Sequence, residues 1–201
     1  MNGTPEEKIL AAAKEVFTRK GYAASSMREI AEVAGVNRGL LHYYNWNKRK
    51  LFQSVFEEAF SNFALRANEI FYSEQSLPEK VEAFVDHYLD LLLNNPHLPG
   101  FVINELNRHP EEFVANILRQ KARPDPMPLL VQVQLEGQAG RIREVNPFHF
   151  FLNLISMCVF PFLARPMLQN LVKIDDETFD NLMQMRKKEI VDFALRALQP
   201  D

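Results

Sequence analysis

Three observations predict an all-α fold for this chain. Apolar residues recur at spacings of three and four along most of its length. Few runs alternate as strands do, and helix-start signals stand in front of the apolar stripes. With 201 residues, 47% of them apolar, the chain can bury a sizeable core in one large domain or two small ones.

The first element is signalled by Thr4-Pro5-Glu6-Glu7, a capping box with Pro at the first helical position; a helix should begin at Pro5. Ile9, Leu10, Ala13, Val16 and Phe17 line its apolar face, and Gly21 should end it. Ser26 with Glu29 reads as a second capping box, opening a short helix with Ile30, Ala31 and Ala34 on one face. Gly35 then permits a sharp turn, and Asn37 can cap a helix over about 38–44. Two short helices joined by a Gly-containing turn make a helix-turn-helix, here about residues 26–45, whose second helix can enter a DNA major groove. Arg38 stands at the N-terminal end of that second helix, where it can donate two hydrogen bonds to guanine O6 and N7. Leu41 and Tyr44 are expected to face the small core beneath. After Asn47 a long helix should run to about Tyr72, striped by Phe52, Val55, Phe56, Ala59, Phe60, Phe63, Ala67, Ile70 and Phe71. It would span roughly 37 Å and contains no Gly or Pro, so it should connect head to body without a flexible linker.

Beyond it, Val81, Phe84, Val85, Tyr88, Leu89 and Leu92 predict a helix over 78–94, broken by Asn95-Pro96 and Leu98-Pro99-Gly100. Short helices are expected over 100–108 and 110–121. A proline-rich turn at 123–128 comes next, with Asp125 as cap of a helix ending before Gly137. Residues 136–146 read as a surface loop. Asn146-Pro147 opens an apolar helix to about 164, expected to kink near Pro161. A last helix is predicted over 176–198, bearing Phe179, Leu182, Met183, Ile190, Phe193, Ala194 and Ala197.

Composition excludes several chemistries. The single cysteine, Cys158, rules out an internal disulfide and lies in the apolar run SMCVF, which favours buried packing over a reactive thiol. Five scattered histidines show no metal-site spacing, and no P-loop, dinucleotide fingerprint or nucleophile elbow occurs. Neither an enzyme nor a bound metal or cofactor is expected. The apolar run 147–164 is interrupted by His149, Asn153, Ser156 and Pro161, so no membrane span is expected, and with no signal peptide an intracellular protein is the expectation. Charge is uneven. Residues 1–52 hold 9 Lys/Arg against 5 Asp/Glu, whereas the remainder holds 14 against 21. A basic head suits phosphates; an acidic body does not.

The run Gly21-Tyr22, Ser25-Ser26, Ile30-Ala31, Ala34-Gly35-Val36, Gly39, the aromatic cluster 42–44, Lys48 and Leu51-Phe52 resembles the tetracycline-repressor (TetR) family of bacterial transcription regulators. One position departs from that pattern: where the family usually places Phe, this chain has Asn45, followed by Trp46. Asn tolerates the left-handed conformation and can end the helix there, leaving Trp46 to fold inward as a substitute. The resemblance implies a DNA-binding domain over 2–62 and a regulatory and dimerisation domain over 63–201. Ser25, Ser26, His42, Tyr43 and Lys48 correspond to family positions that touch phosphate or base edges. With Asn37, Arg38 and Gly39 at the start of the recognition helix, they form the candidate DNA-facing set.

The resemblance further implies a cytoplasmic regulator, a repressor released from double-stranded operator DNA by a small ligand. The alternative is a DNA-binding protein of the same fold without ligand control. For the ligand, the body's aromatic excess suggests an apolar cavity drawn from Phe63, Phe84, Tyr88, Phe101, Phe113 and Phe151, with His87 and Glu105 as polar candidates. Glu105 falls within the apolar face of its helix, so it must be paired, protonated or facing a cavity; an Arg or Lys from a neighbouring helix is one reading, a ligand anchor the other. The 147–164 helix is apolar on nearly every face. Paired with 176–198 across a two-fold axis, it would make a homodimeric four-helix bundle.

Overall fold

The computed structural model describes residues 4–120 and 122–200, with the Arg38 side chain excepted. Among the described residues the chain forms eleven α-helices and no strand. They are α1 (Pro5–Ala24), α2 (Met27–Ala34), α3 (Arg38–Tyr43), α4 (Lys48–Tyr72), α5 (Leu77–Asn94), α6 (Leu98–Arg108), α7 (Pro110–Arg119), α8 (Met127–Gln138), α9 (Pro147–Leu163), α10 (Arg165–Val172) and α11 (Asp176–Ala197).

Local signals account for most of these boundaries. Thr4 accepts from the Glu7 N–H while the Glu7 carboxylate accepts from the Thr4 N–H, so the first capping box is complete. The second forms only in part. Ser26 accepts from the Glu29 N–H at 3.2 Å, but the Glu29 carboxylate turns to Lys20 and Arg19 at 2.8 and 3.0 Å instead. Gly21 breaks α1 rather than ending it: with φ +71° and ψ 176° it is a kink before a final turn to Ala24. Asn47 caps α4 through its side chain, accepting from the Lys50 N–H at 2.9 Å.

Three expectations are corrected. α8 runs through Gly137 and stops at Gln138, and the left-handed glycine beyond it is Gly140. Asp125 accepts from the Met127 N–H at 3.0 Å, two residues on, while Pro126 holds the cap position itself. α9 continues past Pro161 to Leu163, and the 68° bend lies between it and α10, an element the sequence analysis did not place. No single described helix is long and apolar enough to cross a membrane.

The chain packs as two compact units. The first runs to Ser61 and takes in Asn94–Gln120; the second comprises Asn62–Leu93 and the rest of the chain beyond Gln120. The division within α4 falls between Ser61 and Asn62, and α6 and α7 pack with the head. In the first unit Ile9, Ala13, Val16, Phe17, Ile30 and Leu41 are buried beside Leu51, Phe52 and Phe56 of α4. Phe52 also meets Phe101 of α6, ring centroids 4.2 Å apart, which is why α6 belongs here. The second unit is built on Phe71, Leu77, Leu89, Leu129, Leu154, Phe179 and Ile190. There the buried Lys80 ammonium donates to the Phe71 carbonyl at 3.0 Å, satisfying one free acceptor at the end of α4.

Candidate nucleic-acid interface

The helix-turn-helix is held by reciprocal capping. Gly35 adopts φ +67°, and its N–H together with that of Val36 closes α2 onto Ala31 and Glu32 carbonyls. Asn37 then starts α3, its side-chain oxygen accepting from the Leu40 N–H at 2.9 Å. A Cβ on Gly39 would sit 3.1 Å from that same oxygen, so glycine leaves the cap undisturbed. Leu41 is buried and Tyr44 half-buried, while His42 and Tyr43 are exposed, Tyr43 at 80%. One face of α3 therefore grips the head and the other stands free.

The end of α3 resolves the Asn45 departure. Asn45 adopts φ +55°, its N–H bonds the His42 carbonyl, and the Trp46 N–H reaches back to Leu41, both at 2.9 Å. That pair of bonds is a Schellman motif, with Asn in the place usually taken by Gly. Trp46 is only half-buried, and its buried indole Nε1 has no hydrogen-bond partner among the described residues.

The remaining DNA-facing candidates fall into two groups. Ser26 is exposed at the start of α2, and Lys48 is half-buried at the start of α4. The Lys48 ammonium lies 4.7 Å from the Tyr22 ring centroid and donates to the Ala23 carbonyl at 3.2 Å, so it is held near the end of α1. Ser25 differs: it is 6% exposed and its hydroxyl donates to the Tyr22 carbonyl, a role inside the head rather than on its surface. For Arg38 only the helix position is described; its side chain lies outside the described residues. Lys50, which sequence reasoning passed over although it completes the run Lys48-Arg49-Lys50, donates to the Asn45 carbonyl at 3.3 Å.

The ligand candidates are divided between the two units. Phe101, Glu105 and Phe113 lie in the first. Glu105 accepts from Arg49 Nε and Nη2 at 3.3 and 2.9 Å, and Arg49 also holds Glu112 at 3.1 Å. Glu105 is therefore a paired carboxylate, not a free ligand anchor. Phe63, Phe84, His87, Tyr88 and Phe151 lie in the second unit and pack on one another: Phe63 stacks on the His87 ring at 5.1 Å and meets Tyr88 at 5.0 Å, and Phe84 meets Phe151 at 5.8 Å. Burial pushes the Tyr88 hydroxyl well above its ordinary range, and the Cys158 thiol up to about 12. Among the described residues no group of three or more His, Cys, Asp or Glu is placed to hold a metal.

Comparison with known proteins gives the same picture. The chain is 30% identical to the fatty acid metabolism regulator protein of Bacillus subtilis over 141 residues, covering 68% of this chain and 70% of that one. It is 27% identical to the transcriptional repressor NicS of Pseudomonas putida, covering 96% and 92%. Among solved structures, the transcriptional regulator FadR of Bacillus subtilis in complex with stearoyl-CoA superposes with a TM-score of 0.60 at 23% identity, over 92% of this chain and 97% of that one. The family model for tetR-family bacterial regulatory proteins matches residues 9–55, and that for the tetracycline repressor-like C-terminal domain matches 78–193. With the helix-turn-helix formed at 27–43 and both halves matched, the chain belongs to the TetR family of bacterial transcription regulators.

Proposed function

We propose that this chain is a repressor that binds operator DNA in the bacterial cytoplasm as a homodimer and releases it when a small molecule binds. The observation carrying the reading is the helix-turn-helix, whose recognition helix holds Leu41 in the core and presents His42 and Tyr43 outward from a net-positive head. Residues 2–62 take the DNA, and 63–201 dimerise and respond to ligand. α3 enters the major groove with Arg38 at its leading end, reading a base edge. Ser26, Asn37, Gly39, His42, Tyr43 and Lys48 approach the backbone and base edges around it.

Support for the dimer comes from the face of α9 and α11. Phe148, Leu152, Phe160 and Leu163 on α9, and Leu182, Met185 and Phe193 on α11, are exposed in the single chain. A two-fold axis would cover such a patch with its own copy. Ligand control is supported by relatives: one regulates fatty acid metabolism, and a neighbour of the same fold was solved with stearoyl-CoA. A ligand among Phe63, Phe84, His87, Tyr88 and Phe151 must part rings that now pack together.

The test is selection from a random duplex pool with the full-length protein. A two-fold symmetric site should be enriched, with half-sites about one helical turn or a multiple apart. Arg38→Ala should cost about 1–3 kcal/mol and relax one base position, whereas Lys48→Ala should weaken all sites about equally and lower the salt dependence. An unenriched pool, or both variants binding the selected site like the parent, overturns the reading.

A further inference from the structure

A pocket of about 520 Å³ opens between the end of α1, the start of α4 and α6, all within the first unit. Its size falls inside the range of small-molecule sites. Tyr22 and the buried Phe101 give it an apolar part, and Lys20, Lys48, His97 and Arg108 surround that with basic groups. Among the described residues no carboxylate lines it.

The balance of charge decides what such a pocket would take. Glu29 answers Lys20 at 2.8 Å. Among the described residues Lys48 meets a ring and a backbone carbonyl, neither of which carries a formal negative charge. Arg108 makes no ion pair and the Asn104 amide no hydrogen bond among the described residues, although both line the pocket. Two uncompensated cations and a free amide beside aromatic carbon suit an anion with an apolar body. They do not suit a cation. A bare inorganic ion would leave Phe101 and Tyr22 unused, and the curved backbone of a duplex presents no apolar body to them.

We propose that this pocket binds a small organic anion, a carboxylate or phosphate carried on an aromatic or other apolar group. Arg108 and Asn104 donate to the headgroup, Lys48 supplies the second charge, and Phe101 with Tyr22 holds the body. Resting on the reading above that Lys48 contacts the DNA backbone, the site also has a consequence: anion and operator compete for one ammonium, and by linkage each weakens the other.

Isothermal titration of the full-length protein without DNA tests the site, using benzoate and phenyl phosphate as the two headgroups and benzyl alcohol as a neutral control. One of the anions should bind at least about tenfold more tightly than the alcohol, and Arg108→Gln should weaken it about tenfold while Arg108→Lys restores part of the loss. Arg108 is exposed, so the fold should survive, and circular dichroism checks that. If neither anion binds the parent, or if Arg108→Gln binds as well as the parent, the proposal falls. Because these titrations contain no DNA, failure of operator recognition shows separately in the duplex selection.

Discussion

Asn45 and Trp46 show how a family departure is absorbed by local chemistry. The left-handed residue that closes α3 needs a side chain that tolerates positive φ, and Asn supplies it at φ +55°. The aromatic that would otherwise clamp the helix is replaced by a half-buried Trp46 whose Nε1 lacks a partner. Trp46→Ala should therefore destabilise the head by about 2 kcal/mol, less than the roughly 3–5 kcal/mol of a fully buried aromatic. Trp46→Phe removes the unpaired N–H, whose burial alone costs about 1–3 kcal/mol, and should melt at or above the parent temperature. A Phe variant less stable than the Ala variant would sink this account. Titration gives a second check at this scale. Lys20 holds the Glu29 carboxyl below the usual carboxylate range, with Arg19 assisting. A lowered folded pKa contributes stability above the unfolded value and loses it as pH falls through the folded one. The parent's advantage over Glu29→Gln should thus be present at neutral pH and disappear in acid; an advantage unchanged to about pH 2 contradicts the pairing. Cys158, raised to about 12 by burial, should resist a thiol reagent at about pH 8 until the protein is unfolded.

Among the elements, the α4–α6–α7 contact has the clearest energetic content. Arg49 in the first turn of α4 holds Glu105, only 7% exposed, and the more open Glu112. Removing Arg49 leaves a buried carboxylate with no cation. Arg49→Met should then cost about 2 kcal/mol, the partly exposed guanidinium keeping it below the roughly 3–5 kcal/mol of a wholly buried pair. Arg49→Met with Glu105→Met should recover most of that loss, since two apolar groups replace two charges. Strict additivity in the double-mutant cycle, followed by urea unfolding, would rule out the coupling. This contact also shows where sequence reading stops. Stripes and caps located ten of the eleven helices, because periodicity and cap chemistry act within a few residues. α10 escaped although Met167, Leu168, Leu171 and Val172 recur at helical spacing, because it is only eight residues long, follows α9 with Ala164 alone between them and fully buries none of its side chains. Partners far apart in the chain were equally out of reach. That Glu105 needed a partner was legible from its place in an apolar face; that the partner is Arg49 depends on packing. The closeness of His97 to Gly21, where a Cβ would lie 2.9 Å from the ring, left no local signal at all.

At the scale of the whole molecule, the proposed reading calls for two heads, because a single recognition helix reads only a few base pairs and a pair reads a two-fold site. The second copy should be sought on α9 and α11. Phe160 on α9 is 57% exposed and Phe193 on α11 is 66% exposed, and beside them a groove of about 780 Å³ is lined by Met157, Ile190 and Phe193 together with the charged Arg186, Glu189, Asp192 and Arg196. Substituting an exposed side chain in a monomer changes its stability by roughly half a kcal/mol or less. At a two-fold interface the same change acts twice and places charge in an apolar core. Phe160→Asp and Phe193→Asp should accordingly leave helix content intact but shift sedimentation from a dimer to a 23.3 kDa species. Affinity for a symmetric site should fall with it, while affinity for a single half-site stays near that of the parent. Variants that remain dimeric at micromolar concentration would move the interface to another face of the chain. Variants that become monomeric yet keep full affinity for the symmetric site would remove the need for two heads.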